Sequence, residues 1–120
     1  MRVLLADNQA KVRSALRLLL EQEPDVEIVA EAAEADDLLA QVKETRPDLV
    51  LLDWELPGLS SNSHLPILRA LCLHLKLVVL SGRPKARQTA LDAGADAFVS
   101  KIDPPERLLA ALHGCWQDKK

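Results

Sequence analysis

The residues best suited to chemistry follow four separate apolar runs of the sequence. Asp7 and Asn8 follow the first run, and Asp53 ends the run that begins at Leu49. Ser81 follows a later run, and Lys101 closes the last one. Because the carboxyl ends of parallel strands meet at one edge of a sheet, we expect these groups to converge on one crevice.

This set of side chains has a chemical logic. Carboxylate and carbonyl oxygens suit Mg²⁺, which takes one or two protein carboxylates together with phosphate oxygens and water. Asp53 is then placed to attack a phosphoryl group, with Lys101 neutralising one phosphate oxygen and Ser81 donating a hydrogen bond to another. Asp53 taken alone is equally well explained as a strand-end residue that caps the following turn.

The elements that must position these residues alternate between strand and helix. Continuous apolar runs predict strands buried on both faces, and alternation over Val26–Ala32 predicts a half-exposed edge strand. Apolar residues at helical spacing follow each strand. We therefore predict five βα units in an α/β fold, a doubly wound parallel sheet whose possible arrangements include the flavodoxin-like (βα)5 fold with strand order 2-1-3-4-5. The buried strands are Val3–Ala6, Leu49–Asp53, Leu77–Leu80 and Ala97–Val99.

Two helix starts depend on local sequence. Asn8 or Gln9 is expected to begin the first helix, since Asn is a good N-cap. Ser60–Ser63 is predicted to be a polar loop, and the third helix is predicted to be short, because Pro66 is tolerated only in a first turn.

Composition narrows the class of protein. The 120 residues fit one domain, 1–120, and 48% hydrophobic residues can form a core. A net charge of −3 gives no electrostatic sign of nucleic-acid binding. No apolar run approaches the ~20 residues of a membrane span, and Asp7 interrupts the only run that could belong to a signal peptide. Cys72 and Cys115 are expected to be reduced thiols in a cytoplasmic protein.

Four stretches taken together resemble the receiver domain of bacterial two-component response regulators. They read VLLADNQ, PDLVLLDWELPG, LVVLSG and ALDAGADAFVSKIDPPERLLAAL. The resemblance covers essentially the whole chain, from Arg2 to about Trp116. The segment VRSALRLLLEQEPDVEIVAEA, and IDPPE after Lys101, are similar to the NarL/FixJ-type subfamily.

The resemblance implies a role for each residue that would handle the phosphoryl group. Asp53 matches the phosphoacceptor, and Lys101 matches the lysine of the pocket. Ser81 matches the hydroxyl residue that contacts the phosphoryl group. Phe98 matches the aromatic residue whose rotamer couples to that hydroxyl, so Ser81 and Phe98 are the expected switch residues.

The resemblance also implies an Mg²⁺ site. Its expected ligands are Asp7, Asn8, Asp53 and the backbone carbonyl of Glu55. Asn8 departs from the family, which usually has a second acid there, so we expect Mg²⁺ binding to be weakened but not abolished. The side chain of Glu55 has two interpretations, an influence on phosphoryl lifetime or simple solvation.

The implied function is that of a phosphoacceptor signalling domain. A sensor histidine kinase would phosphorylate Asp53 with Mg²⁺, and the resulting switch would control an output partner or domain in transcription regulation. No enzyme activity is expected beyond the receiver's own phosphorylation and dephosphorylation. The output surface is expected on the fourth helix, fifth strand and fifth helix. A DNA-binding output domain outside this chain and a homodimer are left open, and direct contact with nucleic acid or membrane is not expected.

Two other functions remain alternatives. Asn8 motivates a degenerate receiver, a protein interaction module that works without phosphorylation; failure to bind millimolar Mg²⁺ would favour it. The D-x-E at 53–55 is weakly similar to the D-x-D signature of haloacid dehalogenase-type phosphatases. That signature should follow a first strand, whereas Asp53 follows the third.

Overall fold

A computed structural model describes the backbone of residues 1–119 and the side chains of residues 1–116. The strands are β1 (Arg2–Ala6), β2 (Glu27–Ala32), β3 (Leu49–Asp53), β4 (Lys76–Ser81) and β5 (Ala97–Ser100). The helices are α1 (Ala10–Leu20), α2 (Ala35–Thr45), α3 (Ser61–Leu71), α4 (Ala86–Asp92) and α5 (Pro105–Lys119).

The five strands form one parallel sheet in the order β2-β1-β3-β4-β5, which confirms the predicted topology. Every residue of β3 is buried, as its continuous apolar run predicts for the central strand. The edge strand β2 is only partly buried. Strands and helices alternate along the whole described chain, so each crossover places a helix on one face of the sheet.

Alternate residues of each strand enter two separate cores. In β3, Val50 and Leu52 pack towards α2, α3 and α4, whereas Leu49 and Leu51 pack towards α1 and α5. The same alternation in β1 and β4 divides their side chains between the two cores. The division follows from the two-residue period of a strand. The same period decides on which face of the sheet each side chain at a strand end lies.

The start of α1 falls on one of the two residues expected to begin it. Gln9 is the N-cap residue, and its side chain makes no capping hydrogen bond. The prediction that Asn8 could cap this helix is therefore wrong. The carboxylate of Asp7 instead accepts the backbone N–H of Gln9, two residues on, at 2.8 Å, which is an Asx-turn contact.

The third helix is longer than predicted, and Ser61 and Ser63 belong to it rather than to a loop. Ser60 and His64 close its first turn, because the Ser60 amide donates to Nδ1 of His64 and the Ser60 carbonyl accepts the His64 amide. Pro66 lies inside the helix but is exposed, so the carbonyl that loses its hydrogen-bond partner can be hydrated.

Turns after the strands bring neighbouring helices into position. Gly58 has φ 78° in the turn after β3, and the carbonyl of Pro57 accepts the N–H of Ala35 at 2.9 Å. Gly94 has φ 106° and follows Ala93, the C-cap residue of α4, so this helix ends at a glycine in the left-handed conformation. None of the described helices is long and apolar enough to cross a membrane.

Candidate functional site

The strand-end residues meet at one edge of the sheet, but they approach it from different faces. Three residues lie on the face of the sheet that packs against α1 and α5, because each follows by two positions a strand residue of that core: Asp7, Asp53 and Lys101. Ser81 continues the opposite alternation, which faces α2, α3 and α4. The edge therefore has a charged side and a hydroxyl side that flank the same carboxyl end of β3.

On the charged side, Lys101 lies between two buried carboxylates. Its Nζ is 2.8 Å from Oδ2 of Asp7 and 3.3 Å from Oδ1 of Asp53. Both aspartate side chains are 2% exposed, whereas that of Lys101 is 28% exposed. A single ammonium thus compensates two carboxylates that have almost no access to water.

This arrangement shifts the pKa of two groups. Burial raises the pKa of Asp53; the N–H of Glu55 opposes this shift, and the charge of Asp7 adds to it. Lys101 offsets only part of the increase. Burial alone would lower the pKa of Lys101, but its hydrogen bond to Asp7 and the charge of Asp53 raise it overall, so the lysine stays cationic.

Backbone contacts orient the two carboxylates. Oδ1 of Asp53 accepts the N–H of Glu55 at 2.9 Å, and Oδ1 of Asp7 accepts the N–H of Gln9 at 2.8 Å. Arg13 donates from Nη1 to the backbone carbonyl of Asp7 at 2.6 Å. Sequence reasoning does not single out Arg13; the only available signal was a basic residue within two turns of the acid.

On the hydroxyl side, Ser81 is fully buried and bound to Glu55. Its Oγ lies 3.0 Å and 2.9 Å from the two carboxylate oxygens of Glu55, and it accepts the N–H of Arg83 at 3.0 Å. The side chain of Glu55 thus has a protein partner, and simple solvation does not describe it. The signal that could have indicated this contact is that Glu55 follows β3 and Ser81 ends β4, since these two strands are neighbours in the sheet.

The remaining expected residues lie around these two sides. Asn8 is exposed next to Asp7. Phe98 pairs with Val79 across β4 and β5, is partly buried, and packs against the core on the same face as Ser81. The structure thus brings Asp7, Asp53 and Lys101 together, and it places Ser81 with Glu55 on the other side of the strand end.

The donor set was tested for an Mg²⁺ site. Among the described side chains, no group of three or more His, Cys, Asp or Glu is arranged to hold a metal ion. Mg²⁺ needs only one or two protein carboxylates, with waters and phosphate oxygens completing its shell. Asp7 and Asp53 supply two buried carboxylates within reach of one cation, so the residues fit a site with few protein ligands.

Comparison with known families matches nearly the whole chain to a described domain. The family model of the response regulator receiver domain matches residues 3–113. The chain belongs to the response regulator receiver family. Receiver domains of this family act in two-component signalling and generally bind Mg²⁺, and the response regulators that carry them interact with histidine kinases.

Similar proteins place this receiver in the NarL/FixJ-type subfamily. The nitrate/nitrite response regulator NarL of Escherichia coli K12 is 34% identical over 113 residues, covering 92% of this chain and 52% of that protein. The structure of a LuxR-family response regulator from Aurantimonas is 30% identical, with a TM-score of 0.85 and coverage of 94% and 82%. The receiver domain of NarL from Mycobacterium tuberculosis is 26% identical, with a TM-score of 0.84 and coverage of 95% and 94%.

The receiver spans about half the length of the curated relatives it matches. Both structures are similar along nearly all of this chain. The predicted family and fold are confirmed. The haloacid dehalogenase alternative has no support, since Asp53 ends the third strand of a receiver fold.

Proposed function

We propose that Asp53 accepts a phosphoryl group from a sensor histidine kinase. The observation that carries this proposal is the position of its carboxylate, 2% exposed at the end of the central strand and 3.3 Å from Nζ of Lys101. Burial raises the pKa of Asp53, and Lys101 offsets only part of that increase. Such a carboxylate is suited to reaction with an electrophile that arrives with its own cation.

The proposed phosphoryl transfer is a displacement at phosphorus. An oxygen of Asp53 attacks the phosphorus of a phosphohistidine, a P–O bond forms, and the P–N bond breaks. The electron pair of the broken bond returns to the imidazole nitrogen, and an acyl phosphate remains on Asp53. Lys101 neutralises one phosphoryl oxygen, and the hydroxyl of Ser81 donates a hydrogen bond to another.

The groups that would hold Mg²⁺ are Asp7, Asn8, Asp53 and the backbone carbonyl of Glu55. When bound, the ion offsets the repulsion between Asp53 and the phosphoryl oxygens. Asn8 contributes a neutral oxygen, so this receiver binds the ion more weakly than one with a second acid in that position.

Phosphorylation is expected to bias a two-state equilibrium at the hydroxyl side of the site. Ser81 moves towards the new phosphoryl group, and Phe98, on the same face of the neighbouring strand, changes rotamer with it. The output surface is then α4, β5 and α5. In this proposal residues 1–120 are a single cytoplasmic receiver domain that controls transcription through an output partner or a DNA-binding output domain outside this chain, and a homodimer is left open.

The test is intact-protein mass spectrometry after incubation with acetyl phosphate, with and without Mg²⁺. We expect a single phosphoryl adduct that depends on Mg²⁺ and is lost in Asp53→Asn. An adduct of equal yield in Asp53→Asn would overturn the assignment of Asp53.

The degenerate receiver remains the second candidate, because Asn8 is exposed and neutral where the family has an acid. The same experiment separates the two functions. Absence of an adduct at high Mg²⁺ would favour an interaction module that works without phosphorylation.

A further inference from the structure

The hydroxyl of Ser81 is already fully engaged in the unphosphorylated protein. A serine hydroxyl has one proton to donate, and here that proton lies between two carboxylate oxygens of Glu55 at 3.0 Å and 2.9 Å. Its oxygen also accepts the N–H of Arg83 at 3.0 Å. A phosphoryl group on Asp53 could bind this proton only after Glu55 releases it.

Glu55 is held close to the site by its own backbone. Its N–H donates to Oδ1 of Asp53, so the side chain starts from a fixed point beside the phosphoacceptor. The residue as a whole is exposed. Its carboxylate can therefore leave Ser81 for water without being buried elsewhere, and the contact can form and break reversibly.

The charge of Glu55 acts in the same direction as its hydrogen bond. The strand-end cluster contains three carboxylates, on Asp7, Asp53 and Glu55, and the one ammonium of Lys101. A phosphoryl group adds further negative charge at this place. Repulsion from the carboxylate of Glu55 therefore disfavours the phosphorylated form as long as that carboxylate stays on Ser81.

We propose that the side chain of Glu55 competes with a phosphoryl group on Asp53 for the hydroxyl proton of Ser81, and thereby holds the receiver in its inactive conformation. This inference rests on the proposed phosphorylation of Asp53 and adds a positioning residue that regulates it. Glu55 acts through Ser81, and only its side chain is involved, because the carbonyl expected to bind Mg²⁺ belongs to the backbone.

Two substitutions separate the hydrogen bond from the charge. Glu55→Gln keeps an oxygen that can accept the Ser81 proton but removes the negative charge. Glu55→Ala removes both. Glu21→Gln is the matched control, since Glu21 is exposed just after α1, at the opposite end of that helix from the site, and the net charge changes equally.

The experiment titrates ¹⁵N-labelled protein with the phosphoryl mimic beryllofluoride in the presence of Mg²⁺. The amide of Arg83 is the reporter, because it donates to Oγ of Ser81. We expect the half-saturating concentration of beryllofluoride to fall about fivefold in Glu55→Ala, because the ligand no longer has to replace the hydrogen bond between Ser81 and Glu55. The fall should be smaller in Glu55→Gln. Glu21→Gln should match the wild type. In the ligand-free protein, the Arg83 amide signal should shift in Glu55→Ala.

Each outcome bears on one proposal in particular. If the wild type binds beryllofluoride and Glu55→Ala binds it no more tightly, the role of Glu55 is overturned while the proposed function stands. An unchanged Arg83 signal in ligand-free Glu55→Ala would also overturn it. If the wild type binds no beryllofluoride and takes up no phosphoryl group, the proposed function fails, and this inference fails with it. Dispersed amide spectra of Glu55→Gln provide the check that a variant at this position folds.

Discussion

Lys101 and Asp7 form an ion pair of 2.8 Å across 94 positions of the chain. The pair joins the end of the last strand to the end of the first, and Asp53 at the end of β3, one of the two strands between them, completes the cluster. A long-range contact of this kind depends on the strand order, since parallel crossovers have to place β1, β3 and β5 with their carboxyl ends on one edge.

Lys101→Met should lower the free energy of unfolding at pH 7 by about 2 kcal/mol, because it leaves two buried carboxylates without a cation. The measurement is urea denaturation, with Lys85→Met as the control for loss of an exposed lysine. Adding Asp53→Asn to Lys101→Met should recover part of the loss, since one of the two charges disappears. An equal loss in the double variant would contradict this account of the cluster.

Asp53→Asn alone should stabilise the metal-free protein at pH 7 by about 1 kcal/mol. The pKa of Asp53 is raised by burial and by Asp7, so the folded state binds this proton more tightly than the unfolded state. The wild type therefore loses stability as the pH rises from the ordinary value of 3.8 through the raised pKa. Denaturation in EDTA at several pH values should show the difference shrinking towards acid pH; a difference that stays constant would refute it.

Asn8→Asp should tighten Mg²⁺ binding by about tenfold, because the number of charged ligands sets the affinity of such sites. Trp54 follows Asp53 directly and is partly buried, so its fluorescence can report the titration. Gln22→Glu adds the same negative charge at an exposed position just after α1 and serves as the reference for net charge. Equal affinities in the wild type and Asn8→Asp would remove Asn8 from the metal site.

Arg69→Met should destabilise the fold by about 1–2 kcal/mol, because three contacts depend on this guanidinium. It donates to the backbone carbonyls of Leu75 and Gly94, and it pairs with Asp96 at 3.1 Å, so it joins α3 to the turn before β5. Thermal denaturation compares it with Arg87→Met, an exposed arginine of α4. Similar midpoints for the two variants would show that these contacts contribute nothing.

Glu31→Gln should lower the free energy of unfolding by about 1 kcal/mol at pH 7, and by less as the pH falls below 4.5. Hydrogen bonds from Arg17 and then Arg13, opposed in part by burial, lower the pKa of Glu31 below 4.5. For a carboxylate with a lowered pKa, the stabilisation is present above the unfolded value and is lost as the pH falls through the folded one. Urea titrations at a series of decreasing pH values measure the effect, and a loss that does not shrink as the pH falls would point to packing instead of charge.

Much of the architecture could be predicted because it depends on patterns that are local in the chain. The apolar run of β3 is long enough to require burial on both faces, and the two-residue period assigns its side chains to two cores. The alternation of strand and helix then leaves few parallel topologies, so Asp7, Asp53 and Lys101 were expected at one edge before their distances were known. Pro66 was misleading because its effect on a helix depends on whether it faces solvent, which a sequence does not show.

By itself, the sequence determined the α/β class and the group of residues at the carboxyl edge of the sheet, because both follow from residue type and spacing, and its resemblance to receiver domains implied the family and the strand order. Only the tertiary structure decided which of those residues touch. Lys101 pairs with both aspartates, and Ser81 bonds to Glu55 on the other side of the same strand end. A hydrogen bond spans about 3 Å, whereas sequence spacing locates a side chain only to within the distance between neighbouring strands. Which side chains touch at the site therefore depends on the tertiary structure.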